Sequence, residues 1–226
     1  MKRFFVTAAG TGLGKTYLSA LILRQARAAG LSVKALKPIA SGFALDDPEG
    51  DPQRLLFAMS EEVNPANIAS ICPWRFAAPI SPDMAAKREG VCLELSEVAE
   101  FCRSRREGDL LLVEGAGGVM TPLGEDFTNR DLAKALGWPV ILVVGSYLGA
   151  ISHGLAALEA LRAAKLPIAA LVISESIDQP VSLAETSDVF ARFAKEITII
   201  VLPYQTENPP EFPRLLGLLD SDDATA

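Results

Sequence analysis

Ala8-Ala9-Gly10-Thr11-Gly12-Leu13-Gly14-Lys15-Thr16 decides the fold. The stretch follows an apolar segment, Lys2 to Ala8. It opens a segment with helical spacing, Thr16 to Ala29, in which Leu18, Leu21, Ile22 and Gln25 mark the faces. Gly-Lys-Thr binds phosphate when a strand turns through glycines into a helix. The glycines let successive backbone N–H groups face one anion, and the helix N-terminus adds its positive end. Gly12, Leu13 and Gly14 are expected to cradle a nucleotide, with Lys15 neutralising its β- and γ-phosphate oxygens. The Thr16 hydroxyl is expected to ligate Mg²⁺. One glycine of the strict pattern is replaced, because the position five residues before Gly14 is Ala9.

Outward from this loop, strand-like and helix-like segments alternate. Ser32–Lys37, Asp109–Glu114, Pro139–Gly145, Ile168–Ile173 and Ile197–Val201 read as further strands, and Leu93–Arg106 and Ala150–Ala164 as helices. The strands are continuous apolar runs, as a parallel sheet covered on both faces requires. The expectation is an α/β fold: a doubly wound, mostly parallel sheet with helices on both faces, and ligands at the carboxyl ends of the strands. One domain over 1–226 is expected, with a frayed acidic tail at 220–226.

The bulk numbers agree. Hydrophobic residues make up 50% of the 226-residue chain, enough for one sizeable core. The net charge of -7 argues against a nucleic-acid-wrapping surface. Cys72, Cys92 and Cys102 are odd in number and widely spaced, giving neither a disulfide framework nor a zinc pattern. No signal peptide or bilayer-spanning apolar run is visible, so a cytoplasmic protein without a membrane partner is expected.

Two other strand ends carry chemistry. Glu114, in Val113-Glu114-Gly115-Ala116-Gly117-Gly118, stands where a nucleotide-binding sheet places a second magnesium contact. The glycines after it, Gly117 among them, let the backbone approach a ligand. Lys37, in Lys37-Pro38-Ile39-Ala40-Ser41-Gly42, ends the second strand and would point into the phosphate crevice. A second cation there could stabilise a transferring phosphoryl group. Ser41 could hydrogen-bond a polar substrate.

In this order, the three motifs resemble the dethiobiotin synthetases, members of the P-loop NTPase superfamily. The likeness includes Phe76-Ala77-Ala78-Pro79-Ile80-Ser81-Pro82, Pro139-Val140-Ile141-Leu142-Val143-Val144-Gly145 and Leu148-Gly149-Ala150-Ile151-Ser152-His153. The resemblance implies ATP- and Mg²⁺-dependent ring closure of 7,8-diaminopelargonic acid with CO₂, through a carbamate and a carbamic–phosphoric anhydride. It implies Lys37 and Lys15 as catalytic residues, and Thr16, Asp51 and Glu114 at the metal. For the carboxylate beside Glu114, Asp46 and Asp47 compete with Asp51. Ser174, Glu175 and Pro203 fall at the nucleotide's base. Thr11, Ser41, Gly149, Ala150, Ile151 and Ser152 fall at the diamine, near the interface of a homodimer.

The chain departs from the family pattern at Ala8-Ala9, where Gly-Thr is usual, and at Gly12, often a glutamate. Ser152 stands where Asn is common. Ser174 replaces an Asn that reads adenine, and one hydroxyl offers fewer hydrogen bonds than an amide. His153 is the only histidine, and the carbamate route does not require it. Two other readings remain open here. One is a nucleotide-gated partner-binding switch, against which stands the absence of a lysine between Arg3 and Lys15. The other is a related ligase acting on a different amine.

Overall fold

The computed structural model describes residues 1–105, 108–204 and 217. β1 (Lys2–Ala8) leads through the glycine loop into α1 (Lys15–Ala28), followed by β2 (Val33–Leu36) and the short β3 (Ile39–Ser41). Next come α2 (Asp51–Met59), α3 (Pro65–Ile71), β4 (Trp74–Phe76) and α4 (Pro82–Arg88). Then follow α5 (Leu95–Arg103), β5 (Leu110–Glu114), α6 (Asn129–Leu136), β6 (Val140–Val144), α7 (Ala150–Ala163), β7 (Ile168–Ser174), α8 (Leu183–Phe193) and β8 (Ile199–Leu202).

Six strands form one sheet in the order β2-β5-β1-β6-β7-β8, and every pair in it is parallel. From β1 the chain crosses to the β2 edge, returns through β5, and then builds outward on the other side. The winding direction thus reverses at β1, the place where open α/β sheets bind ligands. The register aligns the strand ends there, since Val6 pairs with both Glu114 and Ile141. The loops after β1 and β5 therefore emerge side by side. All five residues of β5 and of β6 are buried, which requires cover on both faces of the sheet. Phe5, Leu18, Leu36, Leu111 and Ile141 sit in this core.

The expected strands are present with ends moved by one or two residues. The expected helix over Leu93–Arg106 is α5, which runs only from Leu95 to Arg103, and Arg106 lies outside the described residues. The tail at 220–226 is also outside them.

The segment after Lys37 does not simply end the second strand. Residues 39–41 form a second, two-stranded parallel sheet with residues 74–76, pairing Ile39 with Trp74 and Ser41 with Phe76. Two further backbone bonds continue it: Gly42 N–H donates to Ala78 O at 3.0 Å, and Phe43 N–H to Phe76 O at 2.9 Å. At Gly42, φ is +68° and a Cβ would lie 3.0 Å from Pro79 Cβ. The Lys-Pro-Ile-Ala-Ser-Gly and Ala-Pro-Ile-Ser-Pro segments are thus halves of one structural unit.

α2, α3 and α4 each carry proline at the first or second helical position, where its missing N–H and fixed φ cost nothing. α6 and α8 open with capping boxes, Thr128 with Asp131 and Ser182 with Glu185.

Candidate active site

The glycine loop leaves β1 and enters α1 through Gly14, which sits at φ +86°. No side chain caps this helix, and its first turn holds no carboxylate. The free N–H groups of the first turn are therefore open to an anion. The loop after β5 braces the phosphate loop from behind. Val119 N–H donates to Ala8 O at 2.8 Å, and a Cβ on Gly118 would stand 3.2 Å from the backbone of Gly10. Asn129, wholly buried, donates from Nδ2 to Gly118 O at 2.7 Å and fixes that brace.

A compact charge cluster lies beside the loop. Lys37 is 2% exposed and Glu114 is 1% exposed. The Lys37 ammonium donates to Glu114 Oε1 at 2.7 Å and to Gly115 O at 3.1 Å, and pairs with Asp51 Oδ2 at 2.7 Å. Three donors meet three acceptors, so the ammonium is saturated. The Thr16 hydroxyl lies 2.6 Å from Asp51 Oδ1 and 2.8 Å from Glu114 Oε1. Ser19, fully buried and three residues along α1, donates to Glu114 Oε2 at 2.9 Å. Burial alone would strip these groups of charge, and their mutual pairing prevents it.

The two lysines respond differently. Burial pushes Lys37 down, but the carboxylates of Glu114 and Asp51 outweigh it and hold the ammonium above its ordinary pKa. Lys37 therefore stays cationic throughout the working pH range. Lys15 is lowered to about 8, by burial first and by the charge of Lys37 second, with only partial relief from Glu114 and Asp51. Burial would raise Asp51, yet Lys37, and then Thr16, bring it down to about 2. Lys37 is thus a fixed electrostatic group, and Lys15 is the group that titrates near physiological pH.

The donor set suits a hard divalent cation. Thr16 Oγ1 carries one hydrogen yet faces two carboxylate oxygens, so it can donate to only one of them at a time. Three oxygens converging in this way is the arrangement Mg²⁺ takes with one hydroxyl and one or two carboxylates, completed by phosphate and water. Of the three competing aspartates, Asp51 is the one in this cluster. Asp46 and Asp47 are exposed, and Asp47 Oδ1 accepts a hydrogen bond from Glu49 N–H at 2.9 Å.

A cleft of about 540 Å³ runs from Gly12, Leu13 and Gly14 to Ser174, Glu175 and Pro203, uniting the phosphate loop with the expected base-side residues. A Cβ on Gly14 would come within 2.9 Å of Ser174 Oγ, so Ser174 closes directly over the loop. Glu175 is occupied otherwise. Its Oε2 accepts from Tyr204 N–H at 2.7 Å and its Oε1 from Gln179 Nε2 at 2.5 Å, which fastens the loop after β8 to the end of β7. The sequence reading missed Tyr17 and Arg54, which line the same cleft, and Ser19. Ser19 could have been found, since three residues after Thr16 places it on the same helical face.

The remaining candidates lie around the rim. Thr11 and Gly12 are exposed and Ser41 is half-buried on β3. Gly117, at φ +71°, begins the turn that Thr121 Oγ1 holds by accepting from Gly118 N–H at 2.8 Å. Gly149 caps α7 at φ +97°, again without a side-chain cap. Ala150 is buried, Ile151 half-buried against the core, and Ser152 exposed. On the same helix Leu155 and Leu158 also pack on the core. His153 Nδ1 lies 2.8 Å from the Tyr147 hydroxyl and makes no contact with the charge cluster.

Comparison with known proteins fits this site. A family model described as an AAA domain matches residues 2–208. An ATP-dependent dethiobiotin synthetase BioD from Caulobacter vibrioides is 46% identical over 207 residues, covering 90% of this chain and 93% of that one. The chain belongs to the ATP-dependent dethiobiotin synthetases. Other members of the family include one from Phenylobacterium zucineum, 47% identical with 90% and 89% covered. A third, from Anaeromyxobacter dehalogenans, is 38% identical with 92% of each chain covered. Membership makes this an ATP-dependent enzyme of the ligase class. Among solved structures, apo McdA from Cyanthece is similar with a TM-score of 0.56 at 12% identity, covering 97% of this chain and 90% of that one. At that identity the likeness concerns the parallel sheet and its helices alone. Among the described residues, no helix is long and apolar enough to cross a membrane.

Proposed function

We propose that this enzyme carboxylates 7,8-diaminopelargonic acid and closes the ureido ring of dethiobiotin at the expense of ATP. The observation that carries the proposal is Lys37, buried between Asp51 and Glu114 and kept permanently charged at the edge of the phosphate loop.

The reaction divides into steps that need different things. One amine of the substrate adds to CO₂ and loses a proton, giving a carbamate. The carbamate oxygen attacks the γ-phosphorus of ATP and expels ADP, forming a carbamic–phosphoric anhydride. The second amine then attacks the carbamoyl carbon and loses a proton, and phosphate leaves with the C–O bond electrons. Phosphoryl transfer asks the protein for positioning and charge stabilisation more than for covalent help. Lys15 and the free N–H groups of the loop would hold the β- and γ-phosphates. Lys37 would face the carbamate and the transferring phosphoryl group, where its fixed charge lowers the barrier without exchanging a proton. Thr16, Asp51 and Glu114 would hold Mg²⁺, which supplies further neutralisation of the phosphate oxygens when bound. Ser19 keeps Glu114 oriented for that task.

On the substrate side, Thr11 within the phosphate loop and Ser41 at the end of β3 would receive the diamine end. The stretch Gly149–Ser152, with the uncapped start of α7, would receive the carboxylate end from the partner subunit of a homodimer. The cytoplasm, where ATP and reduced thiols coexist, is the proposed location.

The test uses the purified enzyme with labelled bicarbonate, Mg²⁺, the diamine, and ATP, CTP or GTP in turn. Labelled dethiobiotin that requires the diamine and a nucleotide is the expected result. A folded protein that hydrolyses ATP but yields no product with any nucleotide would overturn the proposal.

A further inference from the structure

We infer that Arg54 is a ligand for the nucleotide's α-phosphate, and that Glu49 competes with the nucleotide for it. The inference deepens the nucleotide-binding reading above and rests on it.

Helix α2 begins at Asp51, which it delivers to the charge cluster. Arg54 follows one turn later on the same face of the helix. That spacing places Arg54 in the wall of the 540 Å³ cleft, beside Tyr17, the α1 residue that follows Thr16. The phosphate-loop residues Gly12 and Gly14 share this cleft with Ser174 and Pro203, and Ser174 stands directly against Gly14. With the terminal phosphates of a nucleotide held by the loop and Lys15, the phosphate left for Arg54 in the cleft wall is the one next to the nucleoside. That phosphate is the α-phosphate.

Charge supports the assignment. Glu175 and Asp178 also line the cleft, and Arg54 is the one cation among its described lining residues. Without it, the outer cleft would repel a polyanion. Arg54 is presently paired with Glu49, and the two side chains are 43% and 68% exposed. An exposed pair of this kind contributes little to stability and is readily exchanged. Arg54 meets Glu49 through one nitrogen and one oxygen only, whereas a phosphate offers the guanidinium two oxygens and more charge, which favours exchange of Glu49 for phosphate.

The experiment is calorimetric titration of wild type, Arg54→Ala and Glu49→Ala with ADP, AMP and adenosine. In Arg54→Ala, ADP and AMP should weaken about tenfold, the loss expected for one charge-assisted contact, while adenosine is unchanged. In Glu49→Ala, ADP and AMP should tighten, again with adenosine unchanged. Equal weakening of all three ligands in Arg54→Ala would overturn the assignment and move Arg54 to the ribose or base. No change in any of them would make Arg54 a surface residue. Failure of the wild type to bind ADP at all would instead remove the nucleotide-binding reading itself, a result separable from the other two.

Discussion

The charge cluster beside the phosphate loop and the cleft wall around Ser174 are built on opposite principles. In the cluster, Lys37, Glu114 and Ser19 are almost wholly buried and the lysine ammonium has a partner for each of its three hydrogens. On the cleft wall, Ser174 offers one hydroxyl, Glu175 is spent on holding Tyr204 and Gln179, and Ile177 is 82% exposed. A buried charge cluster is costly to disturb, because removing one partner strands the others in a medium that solvates them poorly. A half-buried hydroxyl on a cleft wall is cheaper to change. The chemistry should therefore be intolerant of substitution and the base preference tolerant.

The largest effect should come from Glu114→Gln, which keeps the shape and removes the charge that balances Lys37 and serves the metal. Dethiobiotin formation should fall about 10³-fold, in the range of a lost electrostatic contact at a reacting centre. Steady-state kinetics would measure it, with a thermal melt confirming that the variant folds. A loss below tenfold would place the reacting centre elsewhere.

Lys15 gives the next effect. Its pKa of about 8 is depressed, so the free enzyme carries the needed cation below pH 8 and loses it above. Phosphate binds the cationic form and raises its pKa, so binding above pH 8 takes up a proton. The Kd for ADP should rise by up to about tenfold per pH unit above 8. Titration in buffers of different ionisation enthalpy would reveal the uptake. A flat profile to pH 9.5 would mean Lys15 keeps its proton in the free enzyme.

Ser19→Ala should be milder. It leaves Glu114 Oε2 unpaired in a buried site, a cost of about 1–3 kcal/mol. The half-saturating Mg²⁺ concentration should rise about tenfold, and Ser19→Thr should recover part of the loss. A fall in melting temperature with unchanged Mg²⁺ dependence would make Ser19 structural only. Ser174→Asn should be smallest, since it adds one amide on the half-buried cleft wall. Preference for ATP over GTP should sharpen by a few-fold, consistent with one further hydrogen bond of about 1 kcal/mol. A loss of all nucleotide binding would show that the space over Gly14 has no room for the larger side chain.

The same contrast governs how much was legible in the sequence. The sheet was legible because buried parallel strands are continuous apolar runs, and β5 and β6 are buried at every residue. The charge cluster was legible because Lys15, Lys37 and Glu114 each end a strand or follow one, so local sequence fixes where they point. Asp51 was harder. It starts a nine-residue helix rather than ending a strand, and nothing local separates it from Asp46 and Asp47. Helices α2, α3 and α4 have seven to nine residues, too few turns for periodicity to register, although Asp51-Pro52, Asn64-Pro65 and Ser81-Pro82 mark their starts. α8 carried a readable signal in Ser182-Leu183-Ala184-Glu185. The pairing of residues 39–41 with 74–76 spans more than thirty positions, which no local pattern encodes. Arg54 was invisible for the same reason, since its role depends on α2 packing beside α1.

Lys37 is expected to serve the chemistry and not the binding of the nucleotide. Parallel measurement of ADP affinity and dethiobiotin formation in Lys37→Ala tests it most directly. Turnover should fall by about 10²–10³, with a Kd for ADP within about threefold of wild type, a difference below about 0.7 kcal/mol. Turnover and ADP affinity falling together would contradict it, and so would a variant that still makes dethiobiotin at the wild-type rate.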